Sequence, residues 1–340
     1  MVDAGKRPPS GTAVALLAGV SQKTVSRVFN NEPSVTEETR TRVLAAAQQL
    51  GYRPNGAARA LLTGRHDRIG VVSLSTAHYG PSSLLVALER AARRANYSLI
   101  VANSFDDDAS GIKAAVDNLL VQGVDAIILS EPIDDGEAPI TVDVPVLTLG
   151  GAPSVQAPTV LSMPAAEGGA AATEVTRHLL ALGHRTVHHI AGPQRWWAAR
   201  ERQRSWHEAL TATNAAVPQA LTGDWTPRSG YELGRELARD PDVTAIFAAN
   251  DDMAIGAIHA LHEAGRQVPG DVSVAGFDDI PLAAHVTPPL TTVSTDNAEL
   301  AENGLHYLTA FLADPDHVPA APQTHQHRII VRNSTGPPPT

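Results

Sequence analysis

The apolar positions of the chain change rhythm after the first sixty residues, and each rhythm predicts a different architecture. Early on they recur at helical spacing in short runs. Ala15 is small where two helices must cross closely, Gly19 gives the freedom a tight turn needs, and Val20 can pack beneath it. Ser21 suits the N-cap of a second helix, whose Val25 and Val28 point three residues apart toward one core. A turn-rich stretch at 30–33 precedes a third helix, expected to open at Ser34 with Glu37 as its capping-box partner. Its apolar stripe reads Val43, Leu44, Ala47 and Leu50, and Gly51 falls where a left-handed cap belongs.

Asn55 can cap a further short helix over 56–62, closed by Thr63-Gly64. So small a helix cannot bury its own Leu61 and Leu62, which call for a partner, either a second copy of the chain or DNA. From Arg68 the pattern becomes strand and helix in alternation. Strands are expected at 69–74, 98–102, 126–129, 144–149, 186–191, 245–249 and 272–276. Helices are expected at 84–96, 111–122, 167–182, 200–213 and 253–264. Such alternation implies parallel sheets covered by helices, twice over, with ligand in the crevice at the carboxyl ends of the strands.

Charge sharpens this division. The net charge is −10, yet residues 1–65 hold nine Lys and Arg against four acids, a balance of +5 that leaves −15 for the remainder. A basic head on an acidic body can meet phosphates while the body resists unspecific adhesion. On the second helix Gln22, Lys23, Ser26 and Arg27 fall on the face away from Val25 and Val28, free to reach a DNA groove.

Other chemistry is thinly represented. The absence of cysteine excludes disulfides and thiolate sites, and no apolar run suits a signal peptide or membrane span. A cytoplasmic, nucleoid-associated protein without membrane contact is therefore expected. No G-x-S-x-G, Walker loop or G-x-G-x-x-G stands where a strand meets a helix, so an enzyme is not expected. His188 and His189 would point to opposite faces of one strand, which argues against a shared ion. Neither metal nor cofactor is expected.

The chain resembles the lactose-repressor family of bacterial transcription regulators over nearly its whole length. The marks are A-G-V-S-Q-K-T-V-S-R-V from Ala18, T-R-V-L-A-A-A from Thr41 and L-G-Y-R-P-N from Leu50. In the body they are A-L-G-H-R from Ala181, A-N-D-D-M-A-I-G-A around Asn250, V-S-V-A-G-F-D-D from Val272 and P-P-L-T-T-V from Pro288. The resemblance implies an α/β architecture: a small all-helical helix-turn-helix head at 1–53 and a hinge helix with linker at 54–65. A two-lobed, periplasmic-binding-protein-like body with doubly wound parallel sheets follows at 66–335, then a frayed, proline-rich tail at 336–340. No leucine heptad follows Ser334, so the tetramer such a tail makes is not expected.

For DNA, the resemblance places base reading on Gln22, Lys23 and Arg27. Phosphate contacts fall to Ser21, Thr24, Asn30 and Thr36, with Ser26 on the same face. It gives Leu61 the part of an apolar wedge in the minor groove, with Asn55, Ala58 and Arg59 near the backbone. A homodimer on a near-palindromic operator is implied. In the body, Arg202 would face the cleft and fork two hydroxyls, Asn250 and Asp278 would bond hydroxyls from strand ends, and Trp225 would offer a flat wall. Tyr79 and Pro81, after the first strand, would form the opposite wall. Trp196 and Trp197, after Gly192-Pro193 at another strand end, fit equally over a ligand or over apolar surface.

Acid, amide, guanidinium and indole together suit a neutral sugar. Y-G-P-S from Tyr79, K-A-A-V-D-N-L-L from Lys113 and P-I-D-D from Pro132 are nearest to the family's lactose-responsive member, which favours a galactoside-like effector. The chain departs from the pattern at Gly11-Thr12, where helix one opens without an acid, and at Gly150, which replaces an acid on the cleft lip. Release of operator by sugar is the expected output. A different effector or a co-repressor, an exported sugar-binding protein and an enzyme are the alternatives.

Overall fold

The computed structural model describes residues 9–29, 32–53, 64–74, 77–104, 111–130, 139–150, 155–163, 166–322 and 327–339. Asn30 and the hinge residues Asn55, Ala58, Arg59, Leu61 and Leu62 lie outside the described residues. The chain divides into two compact units, Met1–His66 and Asp67–Thr340.

The first unit contains α1 (Gly11–Ala18), α2 (Gln22–Phe29) and α3 (Glu37–Leu50). Helix α1 forms despite its glycine start, because Ser10 caps it by accepting from the Ala13 N–H at 3.3 Å. It ends at Gly19, whose φ of 65° lies in the left-handed region, and the turn is closed by Val20 N–H donating to the Ala15 carbonyl at 3.0 Å. Ser21 caps α2, accepting from Thr24 N–H at 3.1 Å. Val14, Ala15, Val25, Val28, Val43 and Ala47 make a shared core, with Val20 and Tyr52 partly buried against it. Arg40 donates to the carbonyls of Val28 and Glu32, each at 3.2 Å, and so fastens the end of α2 to α3.

Two details of α3 differ from the sequence expectation. The helix is capped by Thr36, whose hydroxyl accepts from Thr39 N–H; Ser34 instead donates to the Glu32 carboxylate, and Glu37 lies 3.7 Å from Arg40. The buried face is Val43, Ala46 and Ala47 with Leu50 beside them, whereas Leu44 is exposed. Spacings of three and four keep 43, 46, 47 and 50 on one side, and residue 44 is turned about 100° away.

The second unit has two lobes. The first lobe is built on β1 (Arg68–Leu74), β2 (Ser98–Ser104), β3 (Ala126–Ser130), β5 (Val146–Leu149) and β7 (Val160–Met163), all parallel in the order β2-β1-β3-β5-β7. A small parallel pair, β4 (Ile140–Thr141) and β6 (Val155–Gln156), lies apart from that sheet. Helices α4 (Tyr79–Arg94) and α5 (Gly111–Val121) follow β1 and β2. The second lobe is built on β8 (His188–Ala191), β9 (Leu221–Thr222), β10 (Ala245–Ala248) and β11 (Ser273–Ala275), parallel in the order β11-β10-β8-β9. Its helices are α6 (Ala166–Ala181), α7 (Trp197–Ala212), α8 (Pro227–Leu237) and α9 (Asp251–Glu263). Strands β3, β5 and β10 are buried along their length, as parallel strands covered on both faces must be.

The chain then leaves through β12 (Thr292–Ser294) and returns to the first lobe as α10 (Asn297–Ala313). Ala301, Leu305, Leu308 and Phe311 of that helix join Ile69, Leu88 and Leu161 in one core. The chain goes back again to pair β13 (Arg328–Ile330) antiparallel with β12. The end expected to fray from Gly336 is held there. His184 Nε2 and Ser273 Oγ both donate to the Gly336 carbonyl, at 3.0 and 2.9 Å, and Ser334 is buried against Val274 and Thr291. Polar side chains in the core that need partners explain why this segment stays.

Candidate effector cleft and DNA-facing helix

The DNA-facing candidates sit on α2 and the turn before it. Ser21, Gln22, Lys23 and Ser26 are exposed, Thr24 and Arg27 half-buried, and none contributes to the core beneath. Arg27 Nε is 3.4 Å from Glu32, an exposed pair that water screens. Thr24 and Ser21 share a hydroxyl hydrogen bond at 2.9 Å. Thr36, expected to meet phosphate, donates its hydroxyl proton to Thr39 Oγ1 and caps α3, so that donor is already used.

The effector candidates gather at the carboxyl ends of the strands in the second unit. A cleft with an empty volume of about 350 Å³, its open mouth included, is lined by His78 and Pro81 from one lobe and Trp196, Arg202, Trp225 and Asp278 from the other. Arg202 rises from α7 with its guanidinium carbon 3.7 Å from the Phe277 ring centroid. One nitrogen donates to the Ala249 carbonyl and another lies 3.5 Å from Asp278 Oδ1. Asp278 follows β11 with φ at 110°, held by its N–H to the Val293 carbonyl at 2.9 Å.

Asn250 also lines the cleft, but its amide is largely committed. Its Oδ1 accepts from Met253 N–H and its Nδ2 donates to the Trp225 carbonyl, both at 2.9 Å. It caps α9 and straps the loop that presents Trp225, which has a left-handed φ of 72°. Its expected direct hydroxyl bonding is thus reduced to one amide hydrogen and one Oδ1 lone pair.

Tyr79 is the misplaced expectation. It does not line this cleft; it lines a neighbouring groove with Ser83, Arg90 and Asn297, while His78 and Pro81 face the cleft. Residues two apart on a helix point about 200° from each other, which sets the Tyr79 and Pro81 side chains on different sides of the first turn of α4. Burial, then the Asp278, Asp279 and Asp251 carboxylates, push its phenol pKa upward.

Two aromatic residues complete the site. Trp196, which fits by sequence over either ligand or apolar surface, is 3% exposed and packs in the core of the second lobe where it lines the cleft. His78 carries no signal in the sequence beyond its position after the first strand. Among the described residues, Trp196 Nε1, Trp225 Nε1 and Arg202 Nε are buried without a hydrogen-bond partner.

Behind the cleft lie two buried titratable groups. Asp251 accepts from Thr292 Oγ1 and, at 2.9 Å, from Ile280 N–H; burial and then Asp278 push its carboxyl well above the usual range. His189 is stacked between Trp206 and Phe247, with Nδ1–H donating to the Phe247 carbonyl at 2.8 Å, and burial lowers its pKa to about 4. His188 is half-buried on the other face of β8, so the two imidazoles are apart as strand alternation requires.

Residues 12–55 match the profile of bacterial regulatory proteins, lacI family, and 176–335 that of a periplasmic binding protein-like domain. The lactose operon repressor of Escherichia coli K12 is 36% identical over 301 residues, covering 87% of this chain and 82% of that protein. The chain belongs to the lacI family. A second member, the regulator CelR of Thermobifida fusca, is 35% identical over 302 residues, covering 85% of this chain and 87% of CelR. The lac repressor dimer bound to operator and the anti-inducer ONPF superposes with a TM-score of 0.82 at 31% identity, over 97% of this chain and all of that one. The CelR–cellobiose complex does so at 0.68 and 28%, over 96% and 99%. As a lacI-family regulator the chain is not an enzyme, and no helix among the described residues is long and apolar enough to cross a membrane.

Proposed function

We propose that this lacI-family regulator is a homodimeric repressor of sugar-utilisation genes, released from a near-palindromic operator when a small neutral sugar enters the cleft. The observation that carries the reading is the Arg202–Asp278 pair at 3.5 Å in a cleft walled by indoles. Their charges cancel, so the site offers a forked donor and a carboxylate acceptor to hydroxyls without favouring an ion. A galactoside-like effector is the first candidate, supported by the likeness to the lactose operon repressor.

On the DNA side, Gln22, Lys23 and Arg27 read base edges, Ser21, Thr24 and Asn30 meet phosphates, and Leu61 wedges the minor groove with Asn55, Ala58 and Arg59 beside it. Sugar weakens operator binding by favouring a lobe arrangement that suits DNA less. Gel retardation of an inverted-repeat fragment from the gene's own promoter, with and without lactose or simple galactosides, tests this. Retardation lost on adding sugar is expected. No retardation at low salt would sink the repressor reading, and tighter binding with sugar would make the sugar a co-repressor.

A further inference from the structure

Glu32 puts a negative charge on a head that has to approach phosphates. Its Oε2 stands 3.4 Å from Nε of Arg27, in the last turn of α2. An acid in that place opposes binding to any duplex, and in the free protein water screens the pair. Yet the surrounding bonds fix residue 32 where it is. Its N–H donates to the Arg27 carbonyl at 3.0 Å, and its own carbonyl accepts from Arg40 Nη2 at 3.2 Å. Its carboxylate is held a second time, by Ser34 Oγ donating to Oε2 at 3.4 Å.

The edge of Arg27 that Glu32 occupies is the informative part. A guanidinium carries one N–H on Nε and two on each terminal nitrogen, all in one plane. A carboxylate on the Nε edge restrains that plane and leaves both terminal nitrogens unused. Those two nitrogens are the fork that matches O6 and N7 of guanine in the major groove. A long side chain held in this way loses less rotamer freedom when it meets the base. Docking on the duplex also expels water around the pair, which strengthens its attraction at the moment of reading.

We infer, resting on the assignment of Arg27 to base reading above, that Glu32 is a positioning residue. It aims the Arg27 fork at a guanine edge, raising sequence discrimination while lowering affinity for DNA in general. Competition gel retardation of the full-length protein tests this. The probes are the inverted-repeat fragment of the gene's own promoter, copies of it with single G·C pairs changed to A·T, and a random-sequence duplex. Arg27→Ala identifies the pair that Arg27 reads, as the one whose change it no longer resists. At that pair Glu32→Ala should lose about fivefold in discrimination. On the random duplex it should bind about two- to threefold more tightly, because a charge near phosphate is gone. Glu32→Gln loses the same charge but keeps an oxygen that accepts from Nε–H, so it should share that gain and retain most of the discrimination. In an Arg27→Ala background, Glu32→Ala should leave discrimination unchanged. The backbone bonds of residue 32 survive both substitutions and the ion pair is exposed, so the thermal midpoint should stay where it is.

Stronger binding of both Glu32 variants to every duplex, with discrimination intact, would reduce Glu32 to a simple charge and overturn the positioning. The same loss from Glu32→Ala with Arg27 already removed would overturn it too. If Arg27→Ala discriminates at every pair as the wild type does, the base-reading assignment fails, and this inference with it.

Discussion

Gly192 lies directly beneath the indole of Trp225: a Cβ built on Gly192 would stand 2.2 Å from the ring carbon Cη2. The glycine follows β8 directly, and the tryptophan comes from the loop strapped by Asn250, so the wall needs both residues as they are. Gly192→Ala must displace the indole. Effector affinity measured by calorimetry should fall by about tenfold or more, while operator retardation without effector stays unchanged.

His189 sets an acid limit on the stability of the body. Its folded pKa of about 4 lies below the ordinary 6.5, because burial disfavours the imidazolium. The unfolded chain therefore binds the proton more readily. The stabilising contribution is whole above about pH 6.5 and is lost as pH falls toward 4, on the order of 3 kcal/mol in all. Over pH 7.5 to 4.5 the urea midpoint of the wild type should fall more steeply than that of His189→Phe. Parallel curves would remove His189 from the explanation.

Helices α8 and α9 meet through small residues. A Cβ on Gly230 would lie 2.2 Å from the Met253 carbonyl oxygen, and one on Gly256 would lie 2.0 Å from that of Pro227. Gly230→Ala gains about 1 kcal/mol of helix propensity, but backbone cannot yield as a side-chain tip can. The overpacking cost of about 1–3 kcal/mol should win. Equilibrium unfolding of Gly230→Ala is expected to show net destabilisation.

Residue types alone reveal much of this architecture. Gly19, Ser21 and Gly51 mark turns and caps with specific chemistry, and they stand in the fold where that chemistry puts them. The strand–helix alternation from Arg68 onward likewise gives both sheets except their edge strands β7 and β9, which are short. Helix α8 escapes the pattern because P-R-S-G-Y-E-L-G has the composition of a turn, its glycines being there for close contact with α9. The strap role of Asn250 and the aim of Tyr79 depend on loop paths and helix phase, which composition and spacing do not carry. Thr36 takes the α3 cap from Ser34 because both hydroxyl residues can serve and only the backbone distinguishes them.

On α2, Gln22 is exposed and outside the core, so Gln22→Ala should leave the thermal midpoint unchanged. Its operator affinity should fall by about 1–3 kcal/mol, with little loss on random DNA. Lys23→Ala, which removes a positive charge as well as a base contact, should in addition lower the salt dependence of binding, by about one ion released. Competition retardation over a salt series separates the two.

Neither lobe of the body corresponds to an unbroken stretch of polypeptide. A fragment ending at Met163 would lack α10, and the side chains of Leu88 and Leu161 that pack with Leu308 and Phe311 would meet water instead. Attempts to dissect the receptor half by simple truncation should therefore give insoluble material, and only a spliced or split design that restores residues 297–313 can recover one lobe alone.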